Sequence, residues 1–146
     1  MARREDILVE IVQRLKAQRS VKLGVVERDP IVIEELAATA FPAVYIETTD
    51  EDIEDITMSM GSAGLMRKGL MSVDIVLVVG GRERDTQRNI AVEAIENTLM
   101  EDRSLDSTVE DIRLSRVEAV ETGESAPFAS CRMIFTVEYC YQLNNT

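Results

Sequence analysis

The densest group of chemically capable side chains is the acidic run "ETTDEDIED" at residues 47–55. An EF-hand calcium loop places oxygen ligands at alternating positions, glycine at the sixth position and glutamate at the twelfth. Counted from Asp50, the sixth residue is Asp55 and the twelfth is Gly61, so the calcium template does not fit. We interpret the run either as a solvated acidic surface or as an acidic patch with a function of its own.

Catalytic groups are scarce in this chain. Without histidine, the usual general base, the Ser-His and Cys-His nucleophile pairs and the commonest nitrogen ligand for metals are missing. The segment "GGRERDTQ" at residues 80–87 has the position of a phosphate-binding loop but neither a GxGxxG nor a Walker pattern, which favours a turn. Paired carboxylates elsewhere lack a pocket signature and are expected to be solvated. The carboxylate pairs are Glu118 with Glu121 and Asp102 with Asp106. We therefore predict that the protein is not an enzyme and binds neither a cofactor nor a metal.

Size and charge narrow the class of protein. The 146 residues predict one domain over residues 1–146. The longest apolar run, at residues 75–81, is far shorter than the roughly 20 residues of a membrane span, and the charged start "MARREDILVE" predicts that the protein stays in the cytosol. A net charge of −11 disfavours tight binding to a nucleic-acid backbone. Cys131 and Cys140 are expected in one strand, roughly 30 Å apart and unpaired.

Two amphipathic helices are predicted from the spacing of apolar residues. The first covers residues 5–17, and Val9 falls outside its stripe, as an ordinary exposed valine or a contact with another subunit. The second covers residues 85–102, with Asp85 or Thr86 as its N-cap. The predicted buried stripes are Ile7, Leu8, Ile11, Val12 and Leu15 in the first helix, and Ile90, Ala91, Ala94, Ile95, Thr98 and Leu99 in the second.

Strands are predicted by apolar alternation and by turn residues. A short strand ends at Asp29-Pro30, a second covers residues 43–48, and a third starts at Met71. A C-terminal hairpin follows, with its turn at residues 121–127. A three-residue step between Leu114 and Val117 indicates either a bulge or a strand that is buried on both sides in different places. Residues 31–40 fit a loop or a short helix equally. The fold class is therefore α+β, with a mostly antiparallel four- to five-stranded sheet, a long C-terminal hairpin and two amphipathic helices packed against the sheet.

Residues 50–68 are expected to be irregular. They include nearly all of the unusual stretch "MSMGSAGLMRKG" at residues 58–69. Its glycines allow the backbone to rearrange, and its methionines suit irregular apolar partners. We interpret it as a docking loop for a neighbouring subunit or another protein, or alternatively as a plain connector. Under the docking interpretation, cations at its end pair with carboxylates across the interface. The candidate interface residues are Met58, Met60, Leu65, Met66, Arg67 and Lys68.

The order of these elements carries a family resemblance. A helix is followed by strands leading into "FPAVYIE", the long strand "SVDIVLVV", the helix "AVEAIENTLMEDRSL" and the hairpin "DIRLSRVEAVETGESAPFASCRMIFTVEY". This order, with a last strand of the form apolar-Phe-Thr-Val-Glu-Tyr after a small-residue turn, resembles the tail terminator (tail completion) proteins of long-tailed bacteriophages. The resemblance covers about residues 5–142 and is one of architecture.

The resemblance implies a non-enzymatic ring of six copies in the virion, at the tail-neck junction, assembled in the cytoplasm of the host bacterium. Such a ring stops growth of the tail tube and docks to the head or neck. Its implied partners are further copies of the chain, the tail tube protein, neck, head-completion or connector proteins, and passing DNA that is not specifically bound. No membrane partner is implied. Residues 58–69 match no segment of the family.

A strongly acidic ring would let DNA slide without adhering. The acidic run is expected to face solvent, in part toward the channel, and its candidate residues are Asp50, Glu51, Asp52, Glu54 and Asp55. Two other functions stay open: a neck or head-completion adaptor of the same virion, and a hydrolase that uses a carboxylate-bound metal.

Overall fold

The computed structural model describes residues 3–29, 41–56, 65–81, 83–120 and 128–143. Within these ranges the chain forms two helices and one mixed sheet, which confirms the α+β class and the packing of two helices on a mostly antiparallel sheet. The elements are α1 Arg3–Ala17, β1 Val25–Glu27, β2 Ala43–Asp55, β3 Leu65–Gly80, α2 Arg84–Met100, β4 Asp111–Val120 and β5 Phe128–Leu143.

The sheet has the strand order β1-β2-β3-β5-β4. Only β1 is parallel to its neighbour; the other pairs are antiparallel. β3 and β5 pair over their whole length, from Leu65 opposite Leu143 to Gly80 opposite Phe128. The predicted C-terminal hairpin is β4–β5, while its turn at residues 121–127 and the segment 31–40 lie outside the described residues.

The core lies between the two helices and one face of the sheet. The core face predicted for β3 is confirmed, because all its odd-numbered residues from Met71 to Val79 belong to the core, while the other face is buried as well at Asp74, Val76 and Val78. In β5 the odd-numbered residues from Cys131 to Tyr139, such as Phe135 and Val137, are buried. The even-numbered residues between them are partly exposed. Each such core side chain contributes roughly 1.5–3 kcal/mol when fully buried. From α1 the core receives Ile7, Leu8, Ile11 and Leu15, with Val12 packed at its margin.

The second helix departs from its prediction at two points. It begins at Arg84, before the predicted N-caps Asp85 and Thr86, and its observed N-cap is Glu83, in the left-handed region with φ 57° and no side-chain capping bond. The predicted stripe is buried except for Ile90, which is 46% exposed. Since successive helical residues are about 100° apart, Ile90 lies just outside the face that Ala91 presents to the core.

The largest correction concerns residues 50–68, which were expected to be irregular. β2 continues to Asp55 and β3 already begins at Leu65, so only residues 57–64 between them are left outside the description. Their pairing continues past a register shift between Thr48 and Glu51. The prediction failed because these strand ends carry polar residues on both faces, and strand formation there depends on the partner strand rather than on local alternation.

Of the two alternatives for β4, the structure has the bulge. The register of β4 on β5 shifts between Leu114 and Arg116. The hydroxyl of Ser115 lies 2.6 Å from that of Thr136 at this point. The extra residue returns Val117 to the face that Leu114 occupies, opposite Met133, which explains the three-residue step in the sequence.

The connection from α2 to β4 is held by one carboxylate. Asp102 accepts hydrogen bonds from the amide of Ser104 at 3.0 Å, the hydroxyl of Ser104 at 2.6 Å and the amide of Asp106 at 2.8 Å. These bonds, with that of the Ser104 hydroxyl the strongest, lower the pKa of Asp102 to about 2. They stabilise three successive residues with positive φ, at 47°, 58° and 63°, which are Leu105, Asp106 and Ser107.

We expect Asp102→Asn to lower the melting temperature at neutral pH. Because the folded-state pKa lies below the unfolded value, the carboxylate stabilises the fold above about pH 4, and this contribution disappears as the pH falls through about 2. The difference between wild type and variant should therefore shrink toward pH 2 in a series of thermal melts. Glu93→Gln, on the exposed side of α2, is the matched control. A difference that does not change with pH would contradict this role of Asp102.

Candidate assembly surface

One end of the sheet is only three strands wide. β1 pairs with residues 43–45 of β2, and the pairing of β4 with β5 stops at Asp111 opposite Glu138. Beyond these limits lie residues 50–55 of β2, 65–70 of β3 and 139–143 of β5, which we call the arm. In the described part of the chain no further strand pairs with either edge of the arm.

The first turn of α1 packs on one face of the arm. Arg4 places its guanidinium carbon 5.9 Å from the ring centre of Tyr139 and 5.4 Å from that of Tyr141. The two rings are stacked, with centres 5.5 Å apart. Arg3 lies over Tyr141 at 5.9 Å and donates a hydrogen bond to the carbonyl of Cys140 at 2.9 Å. These cation–π contacts fix the helix N-terminus on β5.

Glu51 joins this cluster from β2. Its carboxylate accepts a hydrogen bond from Nε of Arg4 at 2.7 Å and another from the hydroxyl of Tyr139. Burial, followed by the hydrogen bond to Glu51, raises the pKa of Tyr139 above its usual value, and the bond to Glu51 raises the pKa of Arg4. The three side chains therefore tie β2, β5 and α1 together in one ionic arrangement.

Gly69 makes the close packing of this cluster possible. It lies on β3 between Ile53 and Tyr139. A Cβ atom at this position would be 2.6 Å from Cε1 of Tyr139 and 2.8 Å from Oε1 of Glu51. Glycine was expected here for a flexible loop, but it is needed because a tyrosine ring crosses the backbone of a strand.

The cations predicted to pair across an interface both have partners in their own chain. Nε of Arg67 lies 2.9 Å from Oδ1 of Asp55, and Nζ of Lys68 lies 2.6 Å from Oε1 of Glu138. These hydrogen-bonded pairs raise the pKa of both Arg67 and Lys68. Their role in an assembly interface stays a prediction.

Three acidic residues of the arm form no direct salt bridge in the described part of the chain, although Glu54 lies opposite Lys68 and helps to raise its pKa. Asp50, Asp52 and Glu54 are exposed, and none of them forms an ion pair within the described ranges. The arm also exposes large apolar side chains near these carboxylates, from Ile53, Ile56 and Leu70. This combination of uncompensated charge and apolar surface is typical of a contact surface.

Of the other candidate interface residues, only Leu65 and Met66 lie within the described ranges. Met58 and Met60 lie outside the described residues. Leu65 begins β3 opposite Leu143, and Met66 is half-buried opposite Gln142. The carbonyl of Met66 accepts a hydrogen bond from the amide of Ile56 at 3.0 Å. The last part of the predicted loop, from Leu65 onward, is therefore a paired strand.

Sequence reasoning missed the contribution of α1 to this site. The predicted helix started at residue 5 and so left out Arg3 and Arg4, although the alternation of β5 correctly put Tyr139 and Tyr141 on one face. The charged start of the chain and the paired tyrosines were visible signals. Their contact depends on where α1 crosses the sheet, which the sequence pattern does not encode.

A second ionic cluster lies on the sheet face opposite the helices. Nη1 of Arg132 donates to Oδ2 of Asp74 at 2.8 Å and to Oε1 of Glu47 at 2.9 Å. Asp74 is 5% exposed, and its other oxygen, Oδ1, has no partner. The cluster links the three central strands β2, β3 and β5 across the middle of the sheet.

A basic cleft lies at the opposite end of α1 from the arm. It encloses about 440 Å³ between the end of α1 and the segment that leads to β1. Its exposed cations, Lys16, Arg19 and Lys22, form no ion pair in the described part of the chain. No acidic residue occurs at positions 11–26, although the whole chain has a net charge of −11. Apolar side chains of Leu15 and Leu23 also line the cleft.

The described residues contain neither a cluster suited to a metal ion nor a helix suited to span a membrane. They contain no group of three or more His, Cys, Asp or Glu side chains placed to hold a metal ion. Neither helix, as far as the structure describes the chain, combines the length and apolarity of a membrane span. Both cysteines within the described ranges are free.

Comparison with known proteins gave likenesses among solved structures alone. No protein-family model and no curated protein sequence matches the chain. Among solved structures, it is similar to a chain from the virion of a native gene transfer agent particle, at 13% identity and a TM-score of 0.43, over 88% of this chain and 90% of that chain. At this identity and TM-score the likeness assigns no function, so the proposal below depends on the chain's own residues.

Proposed function

We propose that this chain is a structural virion protein that forms a ring of six copies at the head-proximal end of a phage tail tube. The ring stops polymerisation of the tube and provides the surface that docks to the head or neck. Its partners are other copies of the chain, the tail tube protein and neck, head-completion or connector proteins. It is located in the virion at the tail-neck junction and assembles in the cytoplasm of the host bacterium.

The observation that carries the proposal is the order of the elements. A helix, a short strand, two long strands, a second helix and a long hairpin follow one another in the order on which the resemblance to tail terminator proteins is based. Every strand that the resemblance requires has a place in one sheet. The resemblance does not account for the arm, which is formed where β2 and β3 extend beyond the rest of the sheet.

The arm supports a role in docking. It is three strands wide, no further strand of the described ranges pairs with its edges, and its surface combines exposed carboxylates with Ile53, Ile56 and Leu70. In the proposal the arm and residues 58–69, of which 65–69 belong to β3, contact the tube or a neighbouring subunit. The net charge of −11 per copy supports passage of DNA through the ring without binding, because like charges repel. The placement of residues 50–55 along the channel stays a prediction.

The second candidate is a neck or head-completion adaptor of the same virion, which the exposed arm would serve equally well. A hydrolase that uses a metal bound by carboxylates is not favoured by any cluster in the described residues.

Tail length separates the two virion functions. We expect particles made without this protein to carry tubes of irregular and excessive length that are not joined to heads. Supply of the wild-type gene in trans should restore both a uniform length and joining, as measured by negative-stain electron microscopy. Tubes of uniform length that merely fail to join heads would support the adaptor instead. Normal, joined particles would overturn both functions.

A further inference from the structure

The basic cleft and the acidic arm have complementary features. The cleft presents three exposed cations without an ion pair, and the arm presents three exposed carboxylates without one, in the described part of the chain. Surface charges of one sign are ordinarily interspersed with the other sign, as with Arg67 and Asp55. Two separate patches of opposite sign therefore indicate that each patch contacts a partner of the opposite charge.

The two patches cannot neutralise each other within one molecule. Arg4, in the first turn of α1, is bound to the arm, while Leu15 and Lys16, in its last turn, line the cleft. A helix of 15 residues is about 22 Å long at 1.5 Å per residue. This separation greatly exceeds the reach of a salt bridge and the Debye length of about 8 Å at physiological ionic strength.

We propose that the cleft of one copy receives the acidic arm of the next copy, with Lys16, Arg19 and Lys22 facing Asp50, Asp52 and Glu54. Because the two patches differ, the contact is heterologous and joins subunits head to tail, which produces a ring when the rotation closes. The apolar side chain of Leu23 in the cleft meets those of Ile56 and Leu70, because Leu70 lies opposite Asp52 on the strand face that carries the carboxylates. A nucleic acid is a poorer occupant than a second copy, since the chain as a whole repels phosphates.

This inference deepens the proposed function, because it names the contact that would build the ring. It also changes one expectation from the sequence. Asp50, Asp52 and Glu54 would lie in the subunit interface, and the acidity of the channel would come from other carboxylates of the chain.

Charge reversal at both patches provides the test. One variant carries Lys16→Glu, Arg19→Glu and Lys22→Glu, and a second carries Asp50→Lys, Asp52→Lys and Glu54→Lys. Each alone brings like charges together, so we expect association at least about tenfold weaker than wild type, measured by sedimentation at low salt. A mixture of the two should associate again, since every cleft then meets an arm of opposite charge when the copies alternate. The control variant reverses three exposed cations elsewhere, Arg84, Arg113 and Arg116, and should associate as wild type does.

Zero-length carbodiimide cross-linking reports the contact directly, even when association is weak. In a mixture of ¹⁴N- and ¹⁵N-labelled wild-type protein, we expect cross-links of mixed isotope composition from Lys16 or Lys22 to the three arm carboxylates. Their absence, or their restriction to single copies, would overturn the inference. Association that survives either triple reversal would overturn it as well. Neither result depends on tail length in particles, so failure of this contact is distinguishable from failure of the proposed function.

Discussion

Replacement of Arg132 by methionine will lower the free energy of unfolding by about 2–4 kcal/mol, because it leaves a buried carboxylate without its charged donor. Arg132 is the shared donor to Asp74 and Glu47, and one oxygen of Asp74 already lacks a partner. The arginine side chain is 30% exposed, which places the expected loss below that for a fully enclosed pair. Urea unfolding, monitored by circular dichroism, measures this loss of free energy of unfolding.

Two further variants make this measurement specific. Arg116→Met removes an arginine whose ion pair with Glu118 is exposed, and should cost less than about 0.5 kcal/mol. Asp74→Asn should recover about 1 kcal/mol in the Arg132→Met background, because a neutral amide is less costly to bury than a carboxylate. If Arg132→Met behaves like Arg116→Met, the cluster on the sheet face opposite the helices does not stabilise the fold.

Gly69→Ala will destabilise the protein by about 1–3 kcal/mol through overpacking beneath Tyr139. The added Cβ would be 2.6 Å from Cε1 of the ring, and Tyr139 is only 1% exposed, so the ring has no free space to move into. Its displacement would also disturb the hydrogen bond to Glu51 and the contact with Arg4. Thermal unfolding, together with the near-ultraviolet circular dichroism of the tyrosines, would report both effects.

Gly80→Ala is the matched control at the other end of β3. There the nearest atom to an added Cβ is Cδ2 of Phe41 at 3.3 Å. The loss of backbone entropy in the unfolded chain offsets such mild crowding, so the change should stay within about 1 kcal/mol. Equal effects of the two substitutions would show that the tyrosine ring does not constrain Gly69.

The elements that contact the helices could be predicted from the sequence. Burial on one face produces apolar alternation, and this pattern correctly identified the helix-facing sides of β3 and β5 and most of the stripes on α1 and α2. Ile90 was placed wrongly because a residue at the margin of an amphipathic stripe can fall on either side of the boundary.

The arm could not be predicted in the same way. Residues 50–55 are strand because they pair with residues 67–71, and neither segment carries a clear one-sided apolar pattern there. The Arg4–Glu51–Tyr139 cluster joins residues separated by 47 and 88 positions, so no local motif marks it. The cations of the basic cleft were visible as residues, but their lack of partners depends on the packing of α1 against the segment before β1.

The full-length pairing of β3 with β5 has a mechanical consequence. Each strand has 16 residues, which gives a ladder about 50 Å long at roughly 3.3 Å per residue, and it runs without a register shift from the arm into the core. A force applied at the tip along the strands loads these hydrogen bonds in shear and all at once, rather than one after another. The arm therefore acts as a stiff lever continuous with the core. A push on its tip would rotate the whole subunit instead of bending a hinge.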